Sequence, residues 1–502
     1  MSIQQACSVL LVTAVAGWLM VVATATADDT PNREAVLVAG KILFQRHWEP
    51  GKPATRDGDG LGPMFNAVSC DACHSQGGVG GGGSIDFNVD LLSHADRSGH
   101  GQSATREKVK STHPAFVNDK DQSVLSNITL HRFSSSPKYS ALRQLLTGAP
   151  VPAGLLPKER EVLQRKFAQK PVRTGVSTSE VNFTLTQRQT PALFGAGLID
   201  AIPDELLQKL AVAQALKFPD ISGRIPQVRI EKVGRFGWRG QTEHLSDFVL
   251  GACANELGLQ VPTVNQPMDP TRPDYRPVGL DLTQQQCDSI TAFVASLPAP
   301  KFAAPDESEK ARVAEFGRTV FRNIGCAACH VETVGPATQI YSDLLLHDMG
   351  PALADPVAAE HAFLQIERVP VSFSRGQSQE SEPNVPQQRG YSGGSGPPPI
   401  QLVHIHQPFT ATTAIRTTFK HVPTTITQEW RTPPLWGVAH SAPYLHDGRA
   451  ATLLEAIALH GGEAKATTAR FLELPTTERL ALLEFLSCLQ VATEPGSHLP
   501  AP

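Results

Sequence analysis

The strongest constraint on this chain is a pentapeptide pattern that occurs twice: Cys70-Asp71-Ala72-Cys73-His74 and Cys326-Ala327-Ala328-Cys329-His330. Two cysteines about one helical turn apart can each form a thioether with a vinyl group of a porphyrin. The histidine that follows then lies beneath the iron as its proximal ligand. With 8 Cys and 17 His in 502 residues, about 0.004 such pentapeptides are expected by chance. Two are no accident. A zinc site would need a compact second cysteine pair, and none lies nearby. A thioredoxin-type dithiol would need a β-α-β surround, whereas loop and helix flank both motifs here. The sequence therefore predicts two covalently bound haem c groups, one in each half.

The net charge of -4 is small for this length and argues against a nucleic-acid partner. Residues 7–27 form an apolar run that ends in Ala25-Thr26-Ala27 before Asp28-Asp29. That pattern predicts a signal peptide over 1–27, cleaved after an A-x-A site, although no basic residue precedes it. The alternative is a retained membrane anchor. Both readings export the chain, to the periplasm or an equivalent compartment, where haem attachment takes place. Cys253 and Cys287 are then candidate disulfide partners, with two separately buried thiols as the alternative.

Hydrophobic periodicity predicts helices at 33–48, 204–217, 283–297, 307–322, 452–460 and 477–490. The first helix is expected to bury Val36, Ala39 and Ile42 or Leu43. A helix precedes each haem motif, which makes an internal repeat. The Pro-rich stretch 299–306 divides the chain into haem domains at 28–300 and 301–502, and residues 84–190 read as polar and irregular. Residues 372–400, rich in Ser, Gln, Gly and Pro, read as a low-complexity insertion. The glycines at 77–83 suit backbone held close to a bulky planar group, a flexible linker being the bland alternative. The expected fold class is mainly α: two cytochrome c-like haem lobes with long irregular loops.

Several longer motifs surround the two pentapeptides. They include GDGLGPMFNAVSCDACHSQGG at 58–78, RQTPALFGAGLIDAIP at 188–203, GRFGWRG at 234–240, YSDLLLHDMGPALAD at 341–355 and EWRTPPLWGVAHSAPYLHDGRAATLLEAIALHGGEA at 429–464. Together they resemble the di-haem oxidoreductases, a peroxidase-type family also described as thiol oxidoreductases. More distantly they are similar to bacterial di-haem cytochrome c peroxidases and MauG. The resemblance implies a peroxidatic haem at His74 and an electron-transfer haem at His330. It places the far ligand of the second haem one helix beyond Pro443-Tyr444-Leu445-His446-Asp447-Gly448. That position is His460, where the relatives usually carry methionine; Met349 and His347 are its rivals. It further implies a bridging tryptophan at Trp238, with Trp430 and Trp436 as alternatives, and calcium held near Ser441 and Pro443.

Chemistry adds candidates of its own. A peroxidatic iron needs an open or releasable sixth position, for which His131 and His94 are candidate ligands. It needs an acid–base group, for which Asp200 is the candidate, a helix-start carboxylate being the bland reading. Arg235, Arg431 and Arg449 suit haem propionates. The expected function is an exported di-haem peroxidase, reducing hydrogen peroxide with electrons from a small cytochrome c or cupredoxin, and a homodimer is possible. A MauG-like oxidase of a protein or organic substrate, or a pure di-haem electron carrier, are the competing readings.

Overall fold

The structure, a computed structural model, describes residues 30–96, 102–117, 122–147, 172–173, 181–229, 232–272, 274–355, 362–370, 413–420 and 427–491. The expected signal at 1–27 and insertion at 372–400 lie outside these residues. Among the described residues no helix is long and apolar enough to cross a membrane.

The two haem motifs sit in matching frames. In the C-terminal half, the helix Ser308–Ile324 buries Ala314, Gly317, Val320, Phe321 and Ile324, spacings of three and four that define one helical face. That face packs on the helix Thr476–Ser487 through Ala481, Leu482, Phe485 and Leu486. Gly317 sits at the crossing, where a Cβ would overlap the carbonyl oxygen of Ala481. In the N-terminal half, the helix Thr30–Gln45 crosses the helix Gln284–Ser296 in the same way. There Gly40 is the residue whose Cβ would overlap the carbonyl oxygen of Ser289. The buried positions of this first helix are Gly40, Leu43 and Phe44, while Ala39 and Ile42 face solvent. The expectation that Ala39 is buried is corrected by that crossing, which turns the glycine inward; of Ile42 and Leu43 it is Leu43 that is buried, and Val36 is half-buried.

Local signals set the helix ends. Thr283 and Gln286 form a capping box at the start of Gln284–Ser296, and Thr452 and Glu455 do so for the helix Leu453–Ala458. The helix Asp204–Lys217 has the bounds its sequence predicts. The helices Leu245–Leu257 and Lys465–Glu473 were not predicted.

The described residues of 84–190 are more regular than expected. They contribute an antiparallel sheet in the order Asn127–Thr129, Val89–Asp96, Val181–Arg188, Val172–Arg173, and a small core of Leu92, Val109, Phe116, Ile128 and Leu130. A second sheet joins the halves, because Ile225–Arg229 pairs with Ala362–Pro370. The largest core also crosses residue 300. It contains Leu43, Phe44 and Phe293 together with Val334, Leu345 and Trp436. The halves repeat one plan but share one interior.

Candidate active site

Ser69 caps the short helix Cys70–Cys73 by accepting the Ala72 N–H at 3.0 Å, which sets the two thiols one turn apart. The glycine-rich loop after the motif folds back, and its Gly81 carbonyl lies 3.1 Å from His74 Nδ1. The second motif repeats the arrangement. Gly325 ends the preceding helix in a left-handed conformation, Cys326–Ala328 form a 3₁₀ turn, and the Tyr341 carbonyl lies 2.8 Å from His330 Nδ1. The Pro191 carbonyl also bears on the His74 ring. A carbonyl can only accept, so His330 Nδ1 carries the proton and its Nε2 keeps the lone pair. That is the tautomer a metal ligand needs, fixed by a partner behind it. Burial pushes both imidazoles down to about 4, so both are neutral at pH 7.

A cavity of about 520 Å³ opens at the first motif, lined by Cys70, Cys73 and His74. One of about 290 Å³ opens at the second, lined by Cys326, Cys329 and His330. The cavities share a wall, and Trp238 lines both. Its indole N–H donates to the Gln189 carbonyl at 2.8 Å, and its own carbonyl accepts the Arg431 N–H at 3.0 Å. Trp430 and Trp436 line the second cavity only.

The far sides differ. His460 stands opposite His330 with ring centroids 6.5 Å apart. Its Nδ1 donates to the Ala456 carbonyl at 2.7 Å, which leaves Nε2 free. His347 is not available in the same way, because its two ring nitrogens lie against Asp343 and Glu463. Met349 lines the same cavity. Around the first cavity the described lining residues include no imidazole other than His74 and no thioether. The strand pairing explains why. Val89, Leu91, Ser93, Asn127 and Thr129 point into this cavity, so strand alternation turns the intervening His94 to the opposite face. There it packs edge-on against Phe116, with Nε2 3.0 Å from the Leu125 carbonyl. His131 is also absent from the lining, its Nε2 lying 2.7 Å from the Asn255 carbonyl. The structure brings neither expected ligand to His74.

Two further expectations are corrected. Asp200 faces neither cavity; it accepts the Leu245 N–H at 2.9 Å and caps the helix Leu245–Leu257. Arg449 folds back on Asp447, with Nε at 2.8 Å from Oδ2, and lines neither cavity. The arginines in the second cavity are Arg235 and Arg431. Arg235 is taken up by Asp204 and two carbonyls. Arg431 is buried with one terminal nitrogen lacking a partner, and burial pulls it down to about 10. In the first cavity the missed residue is Glu256. Burial pushes its carboxyl up, against a hydrogen bond from Asn66 Nδ2 at 2.6 Å. The carbonyls near the expected calcium position are occupied by amides: Gln189 Nε2 donates to Ser441 at 3.1 Å, and Gln76 Nε2 to Ala442 at 2.7 Å. Cys253 and Cys287 are buried free thiols.

Residues 422–489, which hold Trp430, Arg431 and His460, match the family model described as "Di-haem oxidoreductase, putative peroxidase". That stretch is similar to the di-haem oxidoreductases. The chain is 26% identical over 216 residues to cytochrome-c peroxidase IdrP1 of Denitromonas iodatirespirans, covering 42% of this chain and 48% of that protein. It thus spans about half the length of the curated protein it matches. Two solved structures are similar at low TM-score. Hydrazine synthase of Kuenenia stuttgartiensis, pressurized with xenon, has a TM-score of 0.27 at 16% identity, over 60% of this chain and 72% of that one. A MauG-like protein associated with microbial copper homeostasis has 0.26 at 17%, over 51% and 68%. At these scores neither bears on the fold.

Haem is the cofactor that the di-haem oxidoreductases imply, and the residues fit it. Each cavity presents two thiols and a histidine. The unpartnered Arg431 nitrogen suits a buried carboxylate such as a propionate. Two imidazoles that share one metal at about 2 Å each hold their ring centroids roughly 6 Å apart, close to the His330–His460 separation.

Proposed function

We propose that this di-haem oxidoreductase relative is an exported peroxidase that reduces hydrogen peroxide at the first cavity with electrons passed from the second. The observation that carries this reading is the unequal pair of far sides. His330 faces His460, whereas His74 has no counterpart among the described residues. A closed, doubly ligated metal suits electron transfer, and one with an open position suits reaction with a small molecule.

Cys70 and Cys73 with His74, and Cys326 and Cys329 with His330 and His460, would hold two haem c groups. When bound, these supply one-electron chemistry and, at the first cavity, a coordination position for peroxide. The Gly81 and Tyr341 carbonyls orient the proximal imidazoles. Glu256, its carboxyl pushed up by burial, can hold a proton at Oε and release it within the first cavity. Trp238 lies in the wall between the cavities and is the side chain best placed to connect them. Arg431 would neutralise a propionate of the second group. The electron source in this reading is a small soluble donor such as a cytochrome c or a cupredoxin.

The test is an EPR and visible spectrum of the half-reduced protein before and after one equivalent of hydrogen peroxide. The expected result is one low-spin haem and one high-spin haem, with the high-spin signal lost on adding peroxide. Two low-spin haems indifferent to peroxide would overturn the proposal and leave an electron carrier.

A further inference from the structure

Behind the second cavity lies a row of ionisable groups, Asp343, His347 and Glu429 buried and Arg224 and Glu463 partly so, that the proposed chemistry does not use. Asp343 Oδ2 lies 2.9 Å from His347 Nε2, and His347 Nδ1 lies 2.7 Å from Glu463 Oε2. Glu463 Oε1 lies 3.3 Å from an Arg224 terminal nitrogen, and Arg224 Nε lies 2.5 Å from Glu429 Oε1. Signs alternate along the row. His347 forms its inner end, lining the cavity with Nδ1 3.8 Å from Cys329 Sγ. The outer edge is wet, because exposed Ser222 donates to Glu463 Oε1 at 3.1 Å.

Four of the five members are locked. Asp343 accepts from Gln214 Nε2 at 2.7 Å as well as facing His347. Burial alone would pull His347 down, but the charges and hydrogen bonds of Asp343 and Cys329 outweigh it and push the ring well up. Burial alone would push Glu463 up, but the hydrogen bond and charge of His347, with Arg224, hold it down at about 2. Arg224 is held between the two glutamates, Nε toward Glu429 and a terminal nitrogen toward Glu463.

Glu429 is the exception. It is buried, its two oxygens lack a well-formed hydrogen bond, and its strand pairing sets it directly opposite Asp348. The charged groups acting on it are Arg224 and Arg239, which favour the carboxylate, and Glu463 and Asp348, which oppose it. Burial is the largest influence, and the balance pushes Glu429 up to about 7.

We propose that Glu429 is a proton-loading site for the second cavity. It takes one proton from solvent when an electron enters the group held by His330 and His460, and returns that proton when the electron leaves. The balance is one donor oxidised by one electron, the haem reduced by one electron, and one proton bound at a Glu429 oxygen. Added negative charge in the cavity favours the neutral carboxyl, and Trp430 and Arg431, which follow Glu429 on its strand, line that cavity. The proposal rests on the reading above that the second haem is the electron-transfer haem.

The experiment is spectroelectrochemistry of the second haem in the holoprotein across neutral pH, for wild type, Glu429→Gln and Arg224→Lys. In wild type the midpoint should fall as pH rises through about 7, with a limiting slope of one tenfold change per pH unit, about 59 mV for one electron. Glu429→Gln should be flat there. Arg224→Lys keeps the positive charge but loses the fork shared by Glu463 and Glu429, and it should move the sloping window upward. A flat wild type, an unchanged slope in Glu429→Gln, or an unmoved window in Arg224→Lys would each overturn the proposal. If Glu429→Gln does not fold, the wild-type slope and the Arg224→Lys shift still decide it. These midpoints require no peroxide turnover, so a protein with sloping midpoints that ignores peroxide would sink the peroxidase reading alone. A protein without haem absorbance would sink both.

Discussion

The two haem motifs are alike on one side and unlike on the other. Each follows a helix crossed at a glycine, and each histidine sets Nδ1 against a backbone carbonyl. Opposite His330 a short capped helix ends so that His460 faces it. Opposite His74 the wall includes paired strands whose inward positions are Val89, Leu91, Ser93, Asn127 and Thr129, none of them a strong iron ligand. The proximal side is thus set by the repeat, and the difference between the two cavities by what each half adds across from it. A helix end can deliver one imidazole to one point, whereas this strand pair supplies a ligand-free surface.

Breaking this difference should have the largest effect. His460→Gly is expected to convert the second haem from low-spin to high-spin in EPR, giving two open sites. His131→Ala should leave the spectrum of the first haem unchanged; a change there would show that His131 reaches the iron after all. Next in size is Glu256→Gln, expected to slow the peroxide reaction by roughly 10² to 10⁴-fold in stopped-flow measurements. Its resting spectra should match those of wild type. Gly40→Ala and Gly317→Ala force a Cβ against a carbonyl and should each cost about 1–3 kcal/mol. Because the largest core crosses the boundary, each should lower one shared thermal transition; two separate transitions would contradict that shared interior.

The smallest effect is one of pH. Glu463 titrates at about 2 in the folded protein against an ordinary 4.5, burial being outweighed by His347 and Arg224. A depressed carboxylate stabilises fully above its unfolded value and loses that contribution as pH falls toward the folded one. Stability should therefore decline between about pH 4.5 and 2, and the decline should be shallower in Glu463→Gln, measured by denaturant midpoints.

Much of this comparison was legible beforehand. The Cys-x-x-Cys-His motifs are local patterns readable without the fold, and capping residues such as Thr283 and Thr452 mark helix starts on their own. His460 is legible only through the resemblance, which implies a ligand one helix beyond the 443–448 turn; the structure sets its ring opposite His330. Asp200 was misjudged because a carboxylate that caps a helix starting 45 residues later looks, in sequence, like one facing a cavity. Arg449 was misjudged because its partner Asp447 sits in the same turn and claims it first. Glu256 was missed along with its helix, since LSDFVLGACANEL is apolar on too many sides to reveal a period. The sheet in 84–190 depends on pairing between distant segments, which no local pattern records.

The strand at 225–229 belongs by chain order to the first half, yet it pairs with 362–364 of the second, and Arg224 beside it holds Glu429 and Glu463. A cut at residue 300 would therefore not yield two small haem proteins. The second piece would lose a strand and the cation between two carboxylates, and the first would lose the Ala442 carbonyl that anchors Gln76. Whatever repeat these halves came from, neither is now a module that can be traded between proteins, and a single-haem descendant would have to rebuild a wall before it could shed a lobe.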